Sequence, residues 1–89
     1  MNFIDKDSEN YVYYYVGKNI KKYRKQKGMT QDQLANATNY CKQFISNMEN
    51  ETHQTFSVGT VWQIARALDV ELYKLFIEDE EYMSKFKDK

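Results

Sequence analysis

No proline occurs in the 89 residues, and only three glycines, Gly17, Gly28 and Gly59, break the run of side chains. These two residue types weaken a helix interior most, proline through its missing donor and glycine through backbone entropy. Their scarcity leaves long stretches free to remain helical, and no Gly-rich loop is left to cradle a phosphate. Apolar residues recur at spacings of three and four, the period of an amphipathic helix. The sequence therefore predicts an all-α chain with short connections, and its length is one domain's worth.

Capping chemistry divides the chain into elements. Residues 1–10 are polar apart from Phe3 and Ile4 and read as an N-terminal arm. Ser8 or Asn10 supplies an N-cap for a first helix over Tyr11 to Lys27, in which Tyr13, Val16, Ile20 and Tyr23 form one apolar stripe. Lys18, Lys21, Lys22 and Lys25 lie off that stripe, and Gly28 ends the helix in the left-handed conformation. Thr30 and Gln33 make a capping box for a second helix to about Thr38, with Leu34 and Ala35 inward. Asn39 tolerates the left-handed turn that follows. A third helix runs from roughly Cys41 to Asn50 and buries Phe44 or Ile45 together with Met48. Glu51 to Phe56 has no apolar period and reads as a loop. Ser57 caps a fourth helix whose core face is Val58, Val61, Ile64, Ala65 and Leu68. Leu72, Leu75 and Phe76 open a last helical pattern, which Tyr82, Met83 and Phe86 continue beyond the acidic run Glu78 to Glu81. One bent helix or two short ones fit that pattern equally.

A formal net charge of zero hides segregation: residues 1–15 sum to −2, residues 16–68 to +5 and residues 69–89 to −3. A basic middle between acidic ends suits a polyanion-binding face, and equally a merely solvated charged helix. No run of 18 apolar residues and no secretory signal opens the chain, so a membrane span and secretion are disfavoured and a cytoplasmic location is expected. One cysteine, Cys41, and one histidine, His53, cannot form an internal disulfide, nor a zinc site from His and Cys alone. No nucleophile, base and orienting group come together in the pattern, so neither an enzyme nor a cofactor is expected. Cys41 reads as an ordinary helix-head residue rather than a redox sensor, and His53 as an exposed loop residue.

Two short helices joined by a tight turn make a helix-turn-helix pattern. The wording is more specific: "RKQKGMTQDQLA", "ISNMEN" and "IARALDV" stand in order within residues 16 to about 76. On these pieces the chain resembles the lambda-repressor and Cro-type helix-turn-helix regulators, the XRE family. The resemblance implies an all-α, five-helix lambda-repressor-like DNA-binding domain over residues 11–77. An arm (1–10) precedes it and an acidic C-terminal helical extension (78–89) follows. It implies sequence-specific binding of double-stranded DNA and transcriptional regulation, as a repressor, without catalysis.

Residue by residue, the resemblance places the opening of the third helix, Cys41, Lys42, Gln43 and Phe44, in the major groove, with Asn47 reading bases one turn later. Gln31 and Asn50 take positions that contact phosphate, joined by Lys18, Lys21 and Lys22 of the first helix. Arg24 and Glu49 take those of a structural ion pair. The side-chain chemistry agrees: Gln pairs bidentately with adenine, Lys donates to guanine, and amides are neutral phosphate donors. Asn39, Glu51 and Asp69 stand where the family has glycine, Phe44 where Ser or Thr is common, and loop 51–56 is about one residue longer.

A module this small meets few base pairs, so a homodimer on a palindromic operator is expected. Tyr82, Met83 and Phe86, like Tyr11, Tyr14 and Tyr15, would leave exposed apolar stripes. The two ends are therefore expected to pack together, within one chain or across a two-fold axis. Trp62 reads as partly buried packing. The rival reading is a protein-interaction module, antitoxin or adaptor that keeps the fold and offers its acidic ends to a partner.

Overall fold

The computed structural model describes residues 10–50 and 54–78. They form four α-helices, α1 (Tyr11–Gln26), α2 (Gln31–Thr38), α3 (Lys42–Glu49) and α4 (Val58–Leu68), and a closing 3-10 helix (Leu72–Phe76). No strand occurs among the described residues. The all-α class holds, and the fifth helical element is a 3-10 helix. None of the described helices is long and apolar enough to cross a membrane.

Local chemistry sets the helix ends. Gly28 adopts φ 72° just after the α1 C-cap, and Asn39 (66°) and Asp69 (59°) take the same left-handed region after α2 and α4. Asn and Asp tolerate this region better than other residues with a Cβ, which is how the chain dispenses with glycine there. The Thr30 hydroxyl accepts from the Gln33 N–H at 3.0 Å while the Gln33 amide oxygen accepts from the Thr30 N–H at 2.8 Å. The Ser57 hydroxyl accepts from the Thr60 N–H at 3.1 Å. Asn10 holds the α1 N-cap position with a helical backbone and no side-chain cap bond. Ser8, the other candidate, lies outside the described residues.

The core is Val16, Ile20, Leu34, Ala35, Ile45, Met48, Val61, Ile64, Ala65, Leu68 and Leu75. Three expected positions differ. Tyr14 is buried, whereas Tyr13 is half-buried, its ring edge-on to Phe56 at 5.1 Å. Val58 is 64% exposed, because the first residue of α4 stands at the rim of an apolar groove walled by Val12, Tyr13, Phe56 and Phe76. Trp62 is 45% exposed: it sits about 100° around α4 from Val61, off the inward stripe. The Arg66 guanidinium lies 4.9 Å over its ring, a surface cation–π contact.

Buried Asn19 secures the end of the 3-10 helix. Its amide donates to the carbonyls of Leu75 (2.9 Å) and Ile77 (2.8 Å), satisfying acceptors at that helix's C-terminal end. The chain is thereby tied to α1, and Glu78 lies beside Tyr11. Tyr82, Met83 and Phe86, expected to pack on the tyrosines, lie outside the described residues.

Burial pushes the Tyr11 hydroxyl above its ordinary 10.0, and its hydrogen bond to Glu78 and that group's charge push the same way. Tyr15, edge-on to Tyr11 at 5.2 Å, is raised by burial and then by Glu78. Both groups keep a proton in the folded state that the unfolded chain releases, so their stabilisation is complete below pH 10 and is lost as pH rises beyond it. Tyr11→Phe is expected to flatten the loss of stability above pH 10. Urea midpoints for both proteins through the alkaline range check this, and superimposable curves would contradict the upward shift of the Tyr11 hydroxyl that burial, and then Glu78, impose.

Candidate nucleic-acid interface

Helical periodicity gives α3 two faces. Ile45, Met48 and Glu49 point into the protein, and Lys42 and Gln43 are exposed. Asn47 is half-buried beside Gln43, one turn along, and Asn50 is exposed at the far end. Phe44 is also half-buried, packed on the core with its ring 5.1 Å from that of Tyr40. Exposed Cys41 occupies the N-cap, where its side chain makes no cap bond, and no acidic residue stands in the first turn of α3. The positive end of the helix dipole is thus not offset by a local carboxylate in that turn.

Glu49 holds α3 in place. Fully buried, it receives Arg24 Nε on Oε2 at 2.7 Å and Arg24 Nη2 on Oε1 at 2.9 Å, a two-pronged charge-assisted pair. Gln31 Nε2 donates to the same Oε1 at 3.1 Å, and Lys18 Nζ donates to the Glu49 backbone carbonyl at 3.2 Å. Arg24 Nη1 reaches the Met29 carbonyl at 2.7 Å, in the turn between α1 and α2. One carboxylate therefore joins α1, the start of α2 and the end of α3. Lys18, a cation at the C-terminal end of α3, also complements that helix's dipole.

The expected site residues fall into connected groups. Gln43 Nε2 donates to Asn47 Oδ1 at 2.9 Å. Lys42 lies 4.0 Å from Asp32 with both side chains exposed, an ion pair worth little in water. Asn50 Nδ2 donates to the Ser46 hydroxyl at 3.0 Å. Lys22 lies 4.9 Å over the Tyr23 ring. Lys21 and Lys22 are three and four residues from Lys18, on the same side of α1. Gln31 spends one N–H on Glu49 and, as a primary amide, has a second.

Sequence reasoning missed the partners that complete this arrangement. Asn19 was legible in principle, since it falls between Val16 and Ile20 on the inward face of α1. The Gln31–Glu49 bond has no local signal, nor does Gln54, whose amide oxygen accepts from Asn47 Nδ2 at 3.4 Å. His53 and Glu51 lie outside the described residues.

Comparison with known proteins agrees with this geometry. The Helix-turn-helix family matches residues 20–75, well over half of the chain. The HTH-type transcriptional regulator SinR of Bacillus licheniformis is 30% identical over 66 residues, covering 74% of this chain and 60% of that protein. The HTH-type transcriptional regulator SlrR of Bacillus subtilis (strain 168) is 36% identical over 61 residues, covering 68% of this chain and 40% of that protein. The chain thus spans only two to three fifths of these relatives' length. The crystal structure of SinR in complex with DNA, where SinR is described as the master regulator for biofilm formation, aligns with a TM-score of 0.65 at 29% identity. That alignment covers 70% of this chain and 98% of the SinR chain. With its two short helices α2 and α3 inside the matched span, this chain belongs to the XRE-type helix-turn-helix regulator family.

Proposed function

We propose that this protein binds double-stranded DNA sequence-specifically and regulates transcription as a repressor, acting in the cytoplasm as a homodimer on a palindromic operator. The observation that carries the proposal is the outward face of α3: Lys42, Gln43 and Asn47 stand on a helix fixed from behind by the Arg24–Glu49 pair. Gln43 and Asn47 supply base-reading amides, Lys42 a donor to guanine, and Phe44 a ring edge for a thymine methyl. Gln31 and Asn50 donate to phosphates, and Lys18, Lys21 and Lys22 bring positive charge to the same backbone. The DNA complex of SinR supports this reading. Chemistry by the protein itself plays no part in it.

Selection of binding sites from random duplex DNA, run at two salt concentrations, is the direct test. Enrichment of one motif is expected, with affinity falling by about 0.9 logarithmic units per released phosphate contact for each tenfold rise in salt. Gln43→Ala is expected to relax preference at one base pair, by about 1–3 kcal/mol of discrimination, and to leave thermal unfolding unchanged. Equal loss on every sequence would make Gln43 a backbone contact instead. Exposed Val58, Trp62 and Tyr73 favour a second reading, a protein-interaction module or antitoxin-like adaptor. Binding that selects no motif and ignores salt would favour that reading.

A further inference from the structure

Three side-chain amides form a chain with a defined direction. The Thr55 backbone carbonyl can only accept, and Gln54 Nε2 donates to it at 2.9 Å. With its nitrogen committed there, Gln54 turns Oε1 toward α3, where it accepts from Asn47 Nδ2 at 3.4 Å, the longest link. Asn47 then turns Oδ1 toward Gln43 and accepts from Gln43 Nε2 at 2.9 Å. A primary amide is nearly symmetric in shape but not in hydrogen bonding, so a neighbour that only accepts is what fixes which end is nitrogen. Here that neighbour is a loop carbonyl, and its polarity passes through two amides to the exposed end of α3.

We propose that Gln54 is a positioning residue for DNA recognition: it sets the orientation of Asn47 and, through Asn47, that of Gln43. At the end of the chain Gln43 retains its Oε1 acceptor and a second N–H, side by side. Adenine demands that pair in the major groove, with an acceptor for its N6–H and a donor for its N7. Holding the amide in this sense before DNA arrives removes a two-fold choice and part of the ordering cost of binding. Gln54 itself lies outside both short helices, in a segment without periodicity. The inference rests on the reading of Gln43 and Asn47 as base-reading residues.

Three substitutions at residue 54 separate orientation from packing. Gln54→Met keeps the size and removes both hydrogen bonds. Discrimination at the base pair read by Gln43 is expected to fall about two- to tenfold, the range to which one exchanged hydrogen bond converts, with thermal unfolding unchanged. Gln54→Glu still offers Asn47 an acceptor, so the preference persists while affinity falls on every sequence. Gln54→Lys offers only donors, so Asn47 and then Gln43 turn over, and the preferred base changes while affinity rises on every sequence. The side-chain amide resonances of Gln43 in the free protein give a readout that needs no DNA. They are expected to move in the Met and Lys variants and to stay near their native positions in the Glu variant. Unmoved resonances would overturn the relay. Wild-type preference in both the Met and Lys variants would overturn its role in recognition. If Gln43→Ala relaxes a position that Gln54→Met and Gln54→Lys leave alone, this inference alone fails. If native protein selects no motif, the reading of α3 fails, and the role assigned to Gln54 in recognition fails with it.

Discussion

Arg24→Ala is expected to remove about 3–5 kcal/mol of unfolding free energy, because it leaves the fully buried Glu49 carboxylate without its counter-ion. A chain of this length has roughly 4–13 kcal/mol in total, so the variant would sit near the edge of folding. Gln31 would still donate one neutral hydrogen bond to that carboxylate, too little to offset the lost guanidinium. Glu49→Ala should destabilise comparably, stranding a guanidinium of which only a small fraction reaches solvent. The paired change of Arg24→Met with Glu49→Leu is the informative control. It leaves no charge uncompensated and is expected to be more stable than either single variant, since well-packed apolar replacements of buried pairs are often neutral or better. Urea denaturation of the four proteins decides it. Single-variant losses below about 1 kcal/mol would mean that water reaches the pair and that it behaves as a surface bridge.

The legible parts of this fold are those written locally. Thr30 with Gln33, Ser57, Gly28 and Asn39 act within a few residues of their own positions, and each does in the structure what its chemistry predicts. The core stripe of α4 was readable from Val61 onward because burial there follows the helical period. Val58 broke the pattern because periodicity says which side of a helix faces inward and nothing about where the layer beneath it ends. Contacts across long stretches of chain are harder still. The Arg24–Glu49 pair spans 25 positions and came from family resemblance, not from any property of either residue alone. Gln31 meeting Glu49, and Gln54 meeting Asn47, came from neither source. Polar loop residues carry no period, and their partners are fixed only once the helices have docked.

Gly17→Ala is expected to destabilise the protein by about 2 kcal/mol net, although alanine is the better helix former. In an unhindered helix interior the change would add about 1 kcal/mol. Here a Cβ at position 17 would overlap the Met48 carbonyl oxygen, and the Met48 carbonyl carbon lies within 2.9 Å of it. Both are backbone atoms of α3, which no change of rotamer moves aside, so the helices must part. Overpacking costs about 1–3 kcal/mol, occasionally more, and an overlap with fixed backbone atoms belongs at the top of that range, which leaves about 2 kcal/mol of loss after the gain in propensity. The same close approach lets Lys18 reach the Glu49 carbonyl and Arg24 its carboxylate, so separation would lengthen those bonds too. If α3 reads DNA as proposed, affinity should therefore fall along with stability. Gly59→Ala is the matched control: its Cβ would meet only the Ser57 hydroxyl oxygen at 3.6 Å, an ordinary contact on an exposed turn. That variant is expected to gain about 0.5 kcal/mol by restricting the unfolded chain. Opposite signs at the two glycines, read from urea midpoints, would place the α1–α3 backbone contact at Gly17. A gain at both would show that α3 stands further from α1 than this geometry requires.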